Sequence, residues 1–469
     1  IYKILIKAGY EANRVQIIND RGIAICKSML AWKLFADGAT PQSAGIKPDH
    51  FVGDFYVLFE QKFQEEYDQW IESSQGHDVH AEINETIPSF KKRFKNEYFN
   101  RFSPLGESAR KMLIDWEAGD PEVLELWNKL NQWVYDGFEE TYKKLGVEFD
   151  QLYYESNTYL LGKDLIDQGL KKGVFFRKED GSVWVDLTNE GQDEKLLLRS
   201  DGTSVYITQD LGTADLRYQD FKADKMIYVV ADEQNYHFET LFKTLKKLEV
   251  PYADGLHHLS YGMIDLPTGK MKSREGKVVD ADDLMEEVIE EATKNSKERG
   301  SLEDLTPEEQ SEIYRKIGLA ALKFFIIKVN PKKRMVFNPE ESVDLQGQTG
   351  PYVQNAYVRI QSVLRRFGSL QSTTEFDYSD FNEEEKALML SIYQFPEIIS
   401  TSAAELDPSA VANYCYSLAK QYHKFYHDHS ILNADSEDIQ KFRIQLSAGV
   451  AKVLASGMEL LGIEMPDKM

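Results

Sequence analysis

Short apolar segments alternate with amphipathic segments over residues 149–265, and this alternation constrains the fold more than any other feature of the sequence. The amphipathic segments, such as 211–219 and 237–248, have the spacing of helices. The apolar segments have the length and composition of β-strands and lie at residues 152–154, 182–187, 195–199, 205–208, 226–231 and 259–264. Strands that alternate with helices of this length predict a parallel sheet of the doubly wound α/β type.

An earlier segment has the same character. Residues 14–19 read as a short buried strand, and an amphipathic helix follows from residue 23 to about residue 34. Residues 37–148, which follow, are rich in Phe, Tyr, Trp and acidic residues at helical spacing. We therefore expect a mostly helical insertion between two parts of one sheet.

Strand-like segments stop after about residue 280. The remainder reads as helices at residues 281–298, 308–328, 348–368, 382–405, 408–429 and 437–462. An α/β fold followed by an all-α bundle is therefore predicted. The predicted parts are a Rossmann-like domain at 1–36 and 149–265, the insertion at 37–148, a basic loop with a linking helix at 266–310, and the bundle at 311–469.

The composition is that of a globular protein, with 42% hydrophobic and 28% charged residues. No apolar run approaches the ~20 residues that a membrane helix requires, so we expect no membrane partner. The two cysteines, Cys26 and Cys415, are far apart in amphipathic stretches. They fit a reduced, cytoplasmic setting better than a disulfide framework.

The charge of the chain is uneven. A net charge of −23 argues against unspecific electrostatic capture of nucleic acid. Residues 315–370 nevertheless carry ten Lys or Arg against three acidic residues, with Tyr352, Tyr357 and Phe367 interleaved. Such a region permits a specific polyanionic partner, although a solvated helical face explains the same pattern.

A basic loop at residues 267–277 follows the last strand-like segment. Glycines at 269 and 276 let its backbone approach a ligand, and Ser273 adds a hydroxyl donor. Its four cations, which face a single acidic residue, are Lys270, Lys272, Arg274 and Lys277. Such a loop suits a leaving pyrophosphate, whose oxygens need their developing charge neutralised. The alternative is an exposed basic hairpin.

Polar side chains follow several of the predicted strands. We expect Tyr206 and Asp210 to lie on one face of a strand that leads into a turn, while Gln234 and Glu155 each follow another strand. Open α/β sheets bind ligands at the carboxyl ends of their strands. Several oxygen acceptors around one crevice would select a planar guanidinium, although single acidic residues at strand ends are also common in turns.

Two further groups carry weaker signals. His237 opens a predicted helix near the crevice and Gly262 would let a flat base lie against the backbone, but a lone histidine is more often structural. Tyr422 and Tyr426 lie one helical turn apart, and Tyr352 opens another helix. Aromatic rings presented in this way stack on unpaired bases, although most aromatic stripes of this spacing belong to a core.

Taken together, these segments resemble the class I arginyl-tRNA synthetases. The phrases that carry the resemblance occur in family order at residues 19–23 (NDRGI), 206–210 (YITQD), 225–229 (KMIYV), 269–277 (GKMKSREGK), 347–352 (GQTGPY) and 460–469 (LLGIEMPDKM). The resemblance implies ATP-dependent activation of L-arginine to arginyl-adenylate and transfer of the arginyl group to the 3′ end of tRNA(Arg). Mg²⁺ would accompany ATP without a metal site made by the protein alone, and relatives are usually monomers.

The resemblance also implies residue roles. Glu155, Tyr206, Asp210 and Gln234 would bind arginine. Loop residues Lys270, Lys272, Ser273 and Arg274 would be catalytic. The ATP-binding residues would be His237, Gly262, Met263, Lys270, Met271 and Ser273, and the anticodon contacts would be Tyr352, Tyr422, Tyr426 and Met469.

The sequence departs from the family pattern in three places. Ser273 stands where the signature loop usually has its second lysine, so Lys272 or Arg274 would supply that cation. Asn355 replaces an aromatic residue three positions after Tyr352. The His-Ile-Gly-His-like signature and the amino-terminal domain are not in the chain, so we expect a fragment that is inactive in adenylation. The alternative is a tRNA-binding module without catalysis; a cysteine-specific relative would need zinc ligands that two distant cysteines do not provide.

Overall fold

A computed structural model of the chain describes residues 1–83, 85–265, 280–299, 302–368 and 381–469. The described chain separates into two compact units. The insertion unit contains the described residues between 15 and 159. The main unit contains residues 1–14, with helix α1 (Tyr2–Lys7), and the described residues from 160 onward. In the described part of the chain, no helix is long and apolar enough to cross a membrane.

The insertion unit is mostly helical, and within it the described residues of 37–148 form helices, as their spacing predicts. Its strands β1 (Val15–Ile18) and β2 (Gln151–Tyr154) pair in parallel, with Ile18 opposite Tyr154. Its helices are α2 (Ile23–Phe35), α3 (Pro41–Ala44), α4 (Pro48–Glu72), α5 (Ser74–Ile83), α6 (Ile87–Arg101), α7 (Pro104–Glu117), α8 (Pro121–Leu145) and α9 (Glu155–Thr158).

Local sequence sets where these helices begin. A proline stands in the first turn of α4, α6, α7 and α8, where its fixed φ suits a helix and its missing N–H leaves no bond unmade. Ser103 caps α7 by accepting a hydrogen bond from the amide of Gly106, at 2.8 Å. Asp120 caps α8 through the amides of Glu122 and Val123.

An aromatic core holds the insertion unit together. Phe59, Phe63 and Tyr67 are spaced by four residues and therefore share one face of α4. They pack against Phe94 and Tyr98 of α6, and all five side chains are 2% exposed or less. Truncating one of these rings to Ala would cost about 3–5 kcal/mol, because the cavity left behind closes only partly.

The α/β part of the main unit contains a parallel βαβ element. Its strands β6 (Met226–Ala231) and β7 (Leu256–Tyr261) pair in parallel, with Val229 opposite Leu259, and α12 (Asn235–Lys247) connects them. The elements that precede it are α10 (Lys163–Lys171), β3 (Phe175–Arg177), β4 (Val183–Val185), β5 (Lys195–Leu198) and α11 (Tyr206–Phe221). A further parallel pair joins β8 (Ile264–Asp265) to β9 (Met335–Val336).

The rest of the main unit is a helical bundle. Its helices are α13 (Ala281–Arg299), α14 (Pro307–Ile327), α15 (Pro339–Ser342), α16 (Gly350–Phe367), α17 (Glu383–Glu405), α18 (Ser409–Asp428) and α19 (Glu437–Leu460). Val353 and Ile360 of α16, Leu418 of α18 and Val450 of α19 are almost fully buried in one core. The predicted order of an α/β part followed by a helical part is confirmed.

Three local predictions are wrong. Residues 205–208 were expected in a strand, but Tyr206 begins α11, because Ile207, Leu211 and Ala214 form a buried stripe of helical period. The strands β3, β4 and β5 are antiparallel, since the short 178–182 connection cannot make the crossover that a parallel pair needs. A strand is also present after residue 280, where β9 pairs in parallel with β8.

Candidate functional site

Asp210 and His237 meet where two helices of the main unit begin. Asp210 lies in the second turn of α11, and His237 lies in the first turn of α12. Nε2 of His237 donates a hydrogen bond of 2.6 Å to Oδ2 of Asp210. The side chains remain 28% (His237) and 38% (Asp210) exposed, so both are fixed by their contact and still open to a ligand.

Tyr228 supports this pair from strand β6, and sequence reasoning missed it because Met226–Ala231 reads as plain core. Its ring packs on Phe238 at 5.1 Å and on Phe242 at 5.6 Å, which holds the start of α12 against the strand. Burial raises the pKa of Tyr228; the charge and hydrogen bond of Arg217 oppose this shift, and the charge of Asp210 adds to it. The phenol therefore stays protonated beside the carboxylate.

Tyr206 and Gln234 stand at the same two helix ends. Tyr206 is the first residue of α11 and 80% exposed, one turn before Asp210. The expected shared face of Tyr206 and Asp210 is therefore present, but through helical spacing rather than through a strand. Gln234 is exposed and immediately precedes α12. The structure brings Asp210 and His237 into direct contact, with Tyr206 one turn before Asp210 and Gln234 immediately before α12.

Gly262 and Met263 lie between β7 and β8, where another segment crosses them. The amide of Gly262 donates to the carbonyl of Pro331 at 2.8 Å, and the amide of Met335 donates to the carbonyl of Met263 at 3.3 Å. A Cβ on Gly262 would lie 2.5 Å from the carbonyl carbon of Lys333. The close approach of this backbone is thus one reason for the glycine, besides the predicted contact with a base.

The same crossing divides the basic region at 315–370. Lys333 lies over Gly262, and Nε of Arg334 lies 3.6 Å from Oδ2 of Asp232, just before Gln234. Arg359 belongs instead to α16 in the bundle. The cations that the sequence groups together therefore serve different places, which corrects the expectation of a single basic surface.

Glu155 belongs to the insertion unit, at the carboxyl end of β2 as predicted. Because β1 and β2 are parallel, Asn19 follows β1 at the same edge, and its Nδ2 donates to Oε2 of Glu155 at 3.0 Å. Sequence reasoning did not assign Asn19 to the site, although the alignment of the two strand ends is the signal that would have found it.

Asp20, the next residue, is a buried hub that sequence reasoning also missed. It is 2% exposed, and its carboxylate accepts hydrogen bonds from the hydroxyl of Tyr135 at 2.7 Å and from the amide and hydroxyl of Ser156 at 2.8 and 2.7 Å. Trp127 donates to its backbone carbonyl at 2.7 Å. Burial and the hydrogen bond to Asp20 raise the pKa of Tyr135. These contacts fix the loop that carries Asn19 relative to Glu155.

Arg21 fastens the same loop on its other side. Its guanidinium lies 3.8 Å from the ring centroid of Tyr159 and 5.5 Å from that of Trp116, and it forms an ion pair with Glu117. The cation–π contacts with the two rings fix the position of the Arg21 guanidinium, and the carboxylate of Glu117 balances its charge.

A cavity of about 500 Å³ opens in the bundle between α16 and the segment that follows α18. Tyr426, 37% exposed, forms part of its wall, and the guanidinium carbon of Arg359 lies 4.9 Å from the centroid of that ring. The polar lining includes Asn355, Arg359, Ser362, Arg366, His429 and Asn433. An aromatic ring with two arginines in one cavity suits a nucleotide, which offers a flat base and an anionic phosphate.

The other predicted anticodon residues lie elsewhere in the bundle. Tyr352 is half-buried, with its ring 5.2 Å from Tyr416 and 4.8 Å from His423. Tyr422 is fully buried and its hydroxyl donates to Ser447 at 3.1 Å, so the expectation that its ring faces a base is wrong for this structure. Met469 packs on the small apolar cluster around Ile317 and does not line the cavity.

The predicted loop residues Lys270, Met271, Lys272, Ser273 and Arg274 lie outside the described residues.

Two family models match the chain. The model for the catalytic domain of class I tRNA synthetases (R) matches residues 51–338, and the model for the DALR anticodon binding domain matches residues 353–469. The arginine–tRNA ligase of Bacteroides thetaiotaomicron is 52% identical over 464 residues, which are 98% of this chain and 74% of the relative. That of Parabacteroides distasonis is 51% identical over 471 residues, 100% of this chain and 76% of the relative.

Solved structures show the same fold. The arginyl-tRNA synthetase of Thermus thermophilus, 22% identical, aligns with a TM-score of 0.76 over 100% of this chain and 77% of its own. The arginyl-tRNA synthetase of Plasmodium falciparum, 21% identical, aligns with a TM-score of 0.64 over 82% of this chain and 66% of its own.

Proposed function

The chain belongs to the class I arginyl-tRNA synthetases, and we propose that Asp210, held by His237, is the residue by which this member selects arginine. Its function is that of an arginine–tRNA ligase, with a catalytic domain and an anticodon-binding domain. Arginine, ATP and tRNA(Arg) are the partners that this family implies. The single observation that carries the proposal is the 2.6 Å hydrogen bond between Asp210 and His237.

The chemistry of a guanidinium explains the arrangement around Asp210. A guanidinium is planar, always charged, and carries N–H donors in a fixed fork, so it binds best to a carboxylate whose orientation is already set. The hydrogen bond from His237 sets that orientation. Tyr206 would bound the stem of the side chain, and Gln234 would add an amide oxygen. Glu155 lies in the insertion unit, where it accepts a hydrogen bond from Asn19, and its role in binding arginine stays a prediction from the sequence.

The adenylation step needs no nucleophile from the protein. The carboxylate of arginine attacks the α-phosphorus of ATP, a new C–O–P linkage forms, and the bond to the pyrophosphate oxygen breaks. We propose that Lys270, Lys272, Ser273 and Arg274 stabilise the leaving pyrophosphate, with Mg²⁺ bound to ATP. His237, Gly262, Met263 and Met271 would receive the nucleoside. The residues then act by positioning and by neutralising charge.

The cavity beside Tyr426 and Arg359 is the proposed contact for the anticodon loop. Its volume, its aromatic wall and its two arginines support this assignment more directly than the buried Tyr422 does. Tyr352, packed on His423, would shape the approach to the cavity. Because phosphate contacts release counterions, binding of tRNA(Arg) through this domain should weaken as salt rises.

We further propose that the protein acts as a monomer in the cytoplasm. Cys26 and Cys415 are both buried and unpaired, which suits a reducing compartment. Light scattering at micromolar concentration measures the oligomeric state, and a stable dimer would overturn that part of the proposal.

Asp210→Asn tests the choice of substrate. Loss of a charge-assisted hydrogen bond costs about 1.5–3 kcal/mol, so the KM for arginine in aminoacylation should rise about 10–150-fold. Glu239→Gln is a matched control, since it removes one negative charge from exposed surface of the neighbouring helix α12. The assignment is wrong if both variants change the KM for arginine equally.

A further inference from the structure

His423 lies in α18 with its ring against Arg359 and Tyr352 of α16. Nη1 of Arg359 is 3.1 Å from Nδ1 of His423, and the ring of Tyr352 is 4.8 Å from the imidazole. An arginine always donates, so Nδ1 of His423 must accept and the ring proton must sit on Nε2. Burial and the positive charge of Arg359 lower the pKa of His423 to about 4, while a hydrogen bond with the backbone of Tyr352 opposes them. The ring is therefore neutral near pH 7.

Arg359 is held from two sides without losing its charge. His423 accepts one of its N–H groups, and the ring of Tyr426 lies under its guanidinium at 4.9 Å. Two other arginines of the bundle differ: Arg315 pairs with Glu312 and Glu464, and Arg443 pairs with Glu385. Among the described residues, no carboxylate lies within ion-pair distance of Arg359.

This difference has a chemical meaning. A carboxylate in place of His423 would orient Arg359 equally well, but it would also neutralise the charge. A neutral imidazole orients the guanidinium and leaves its full charge for a ligand in the cavity, beside Arg366. The ligand that matches an oriented, uncompensated guanidinium next to an aromatic ring is a phosphodiester with its base.

We propose that His423 is a positioning residue for tRNA, which orients Arg359 so that the guanidinium binds a phosphodiester oxygen in the cavity. The inference rests on the proposed role of this cavity in binding tRNA(Arg). His423 does not itself touch the RNA. Its contribution is the fixed geometry of Arg359, without which the arginine would sample several rotamers and bind phosphate less well.

Three substitutions separate positioning from packing. His423→Asn keeps an acceptor, Oδ1, at the place of Nδ1. His423→Gln moves the same amide one methylene further, to the place of Nε2. His423→Phe keeps an aromatic ring at this position but removes both nitrogens. We expect His423→Asn to bind tRNA(Arg) within about twofold of the parent protein, and His423→Gln and His423→Phe to bind about tenfold more weakly, the loss of one oriented hydrogen bond to a charged group.

The decisive readout is the slope of log affinity against log salt for tRNA(Arg), measured by filter binding. Loss of one phosphate contact lowers the slope by about 0.7–0.9, so His423→Phe and His423→Gln should show this change and His423→Asn should not. A purely structural role would lower the melting temperature of all three variants and leave the slope unchanged. That outcome, or weaker binding by Asn than by Gln, would overturn the proposal.

Arg359→Gln with Arg366→Gln distinguishes failure of this inference from failure of the proposed function. If this double variant binds tRNA(Arg) as the parent protein does, the cavity is not the tRNA site and both proposals fall. If the double variant binds weakly while His423→Phe binds normally, the cavity keeps its role and only the positioning role of His423 is refuted. Should His423→Phe fail to fold, the comparison of Asn with Gln decides the question.

Discussion

The carboxylate of Asp210 accepts a hydrogen bond of 2.6 Å from the imidazole of His237, across two helices that begin side by side in the main unit. The predicted arginine-binding residue and the predicted ATP-binding residue are thus in direct contact. A change at either one should therefore be felt by both substrates.

His237→Ala is expected to raise the KM for arginine about three- to tenfold, because the Asp210 carboxylate loses a hydrogen-bond partner worth about 0.5–1.5 kcal/mol and becomes free to rotate. Steady-state aminoacylation at varied arginine and varied ATP measures the effect. His427→Ala is the control, since His427 is 87% exposed at the end of α18. An increase in the KM for ATP alone would mean that His237 does not orient Asp210.

Asp20→Asn should destabilise the protein by about 1–3 kcal/mol, because the amide cannot accept all the hydrogen bonds that Tyr135 and Ser156 donate to the buried carboxylate. Urea unfolding followed by tryptophan fluorescence measures the change. Asp136→Asn is the control, being the exposed acidic residue that follows Tyr135. Equal midpoints for the two variants would contradict the role of Asp20 as a hub.

Gly262→Ala should displace the crossing segment, because the new methyl group would lie 2.5 Å from the carbonyl carbon of Lys333. This atom belongs to the backbone and cannot rotate away as the end of a side chain could. We expect a loss of about 1–3 kcal/mol in stability. Gly53→Ala is the opposite case: nothing lies within 4 Å of its Cβ, and replacing a glycine inside α4 should stabilise the protein by about 0.5–1 kcal/mol. Thermal unfolding measures both, and a stabilised Gly262→Ala would contradict the close approach.

Acid should destabilise the bundle through His423. Its pKa falls from 6.5 in the unfolded chain to about 4 in the folded protein, so the unfolded state binds the proton first as the pH falls. The contribution of the neutral His423 ring to the free energy of unfolding is therefore complete above pH 6.5. It is lost as the pH falls from 6.5 to about 4. Unfolding measured across this window should show less loss for His423→Asn than for the parent protein. If stability falls equally with pH in His423→Asn and in the parent protein, His423 does not titrate as its burial requires.

Local patterns in the sequence predict much of the fold. The strand at 226–231 and the helices of the bundle follow from period and capping, because buried stripes repeat every two or 3.6 residues whatever the element packs against. Residues 205–208 show the limit of a short window. Four apolar or β-branched residues favour a strand, and only the longer stripe through Leu211 and Ala214 identifies the helix.

The candidate site was predictable in its residue types and less so in its contacts. Asp210 and Glu155 stand out because acidic residues at the ends of elements border ligand crevices. Asn19, Asp20, Tyr228 and His423 do not stand out, because their roles depend on partners brought by other elements. Tyr422 had the spacing of a stacking residue and is part of the core.

The α/β-then-helical order, the helix starts and the family of the chain follow from the amino-acid sequence, since they depend on periods and phrases that lie close together along the polypeptide. Which side chains meet depends on the packing of elements that are distant along the chain. Asp210 and His237 are 27 residues apart and Arg359 and His423 are 64 apart. Their hydrogen bonds exist because packed helices bring distant side chains within 3.1 Å of each other, a distance that no local pattern records.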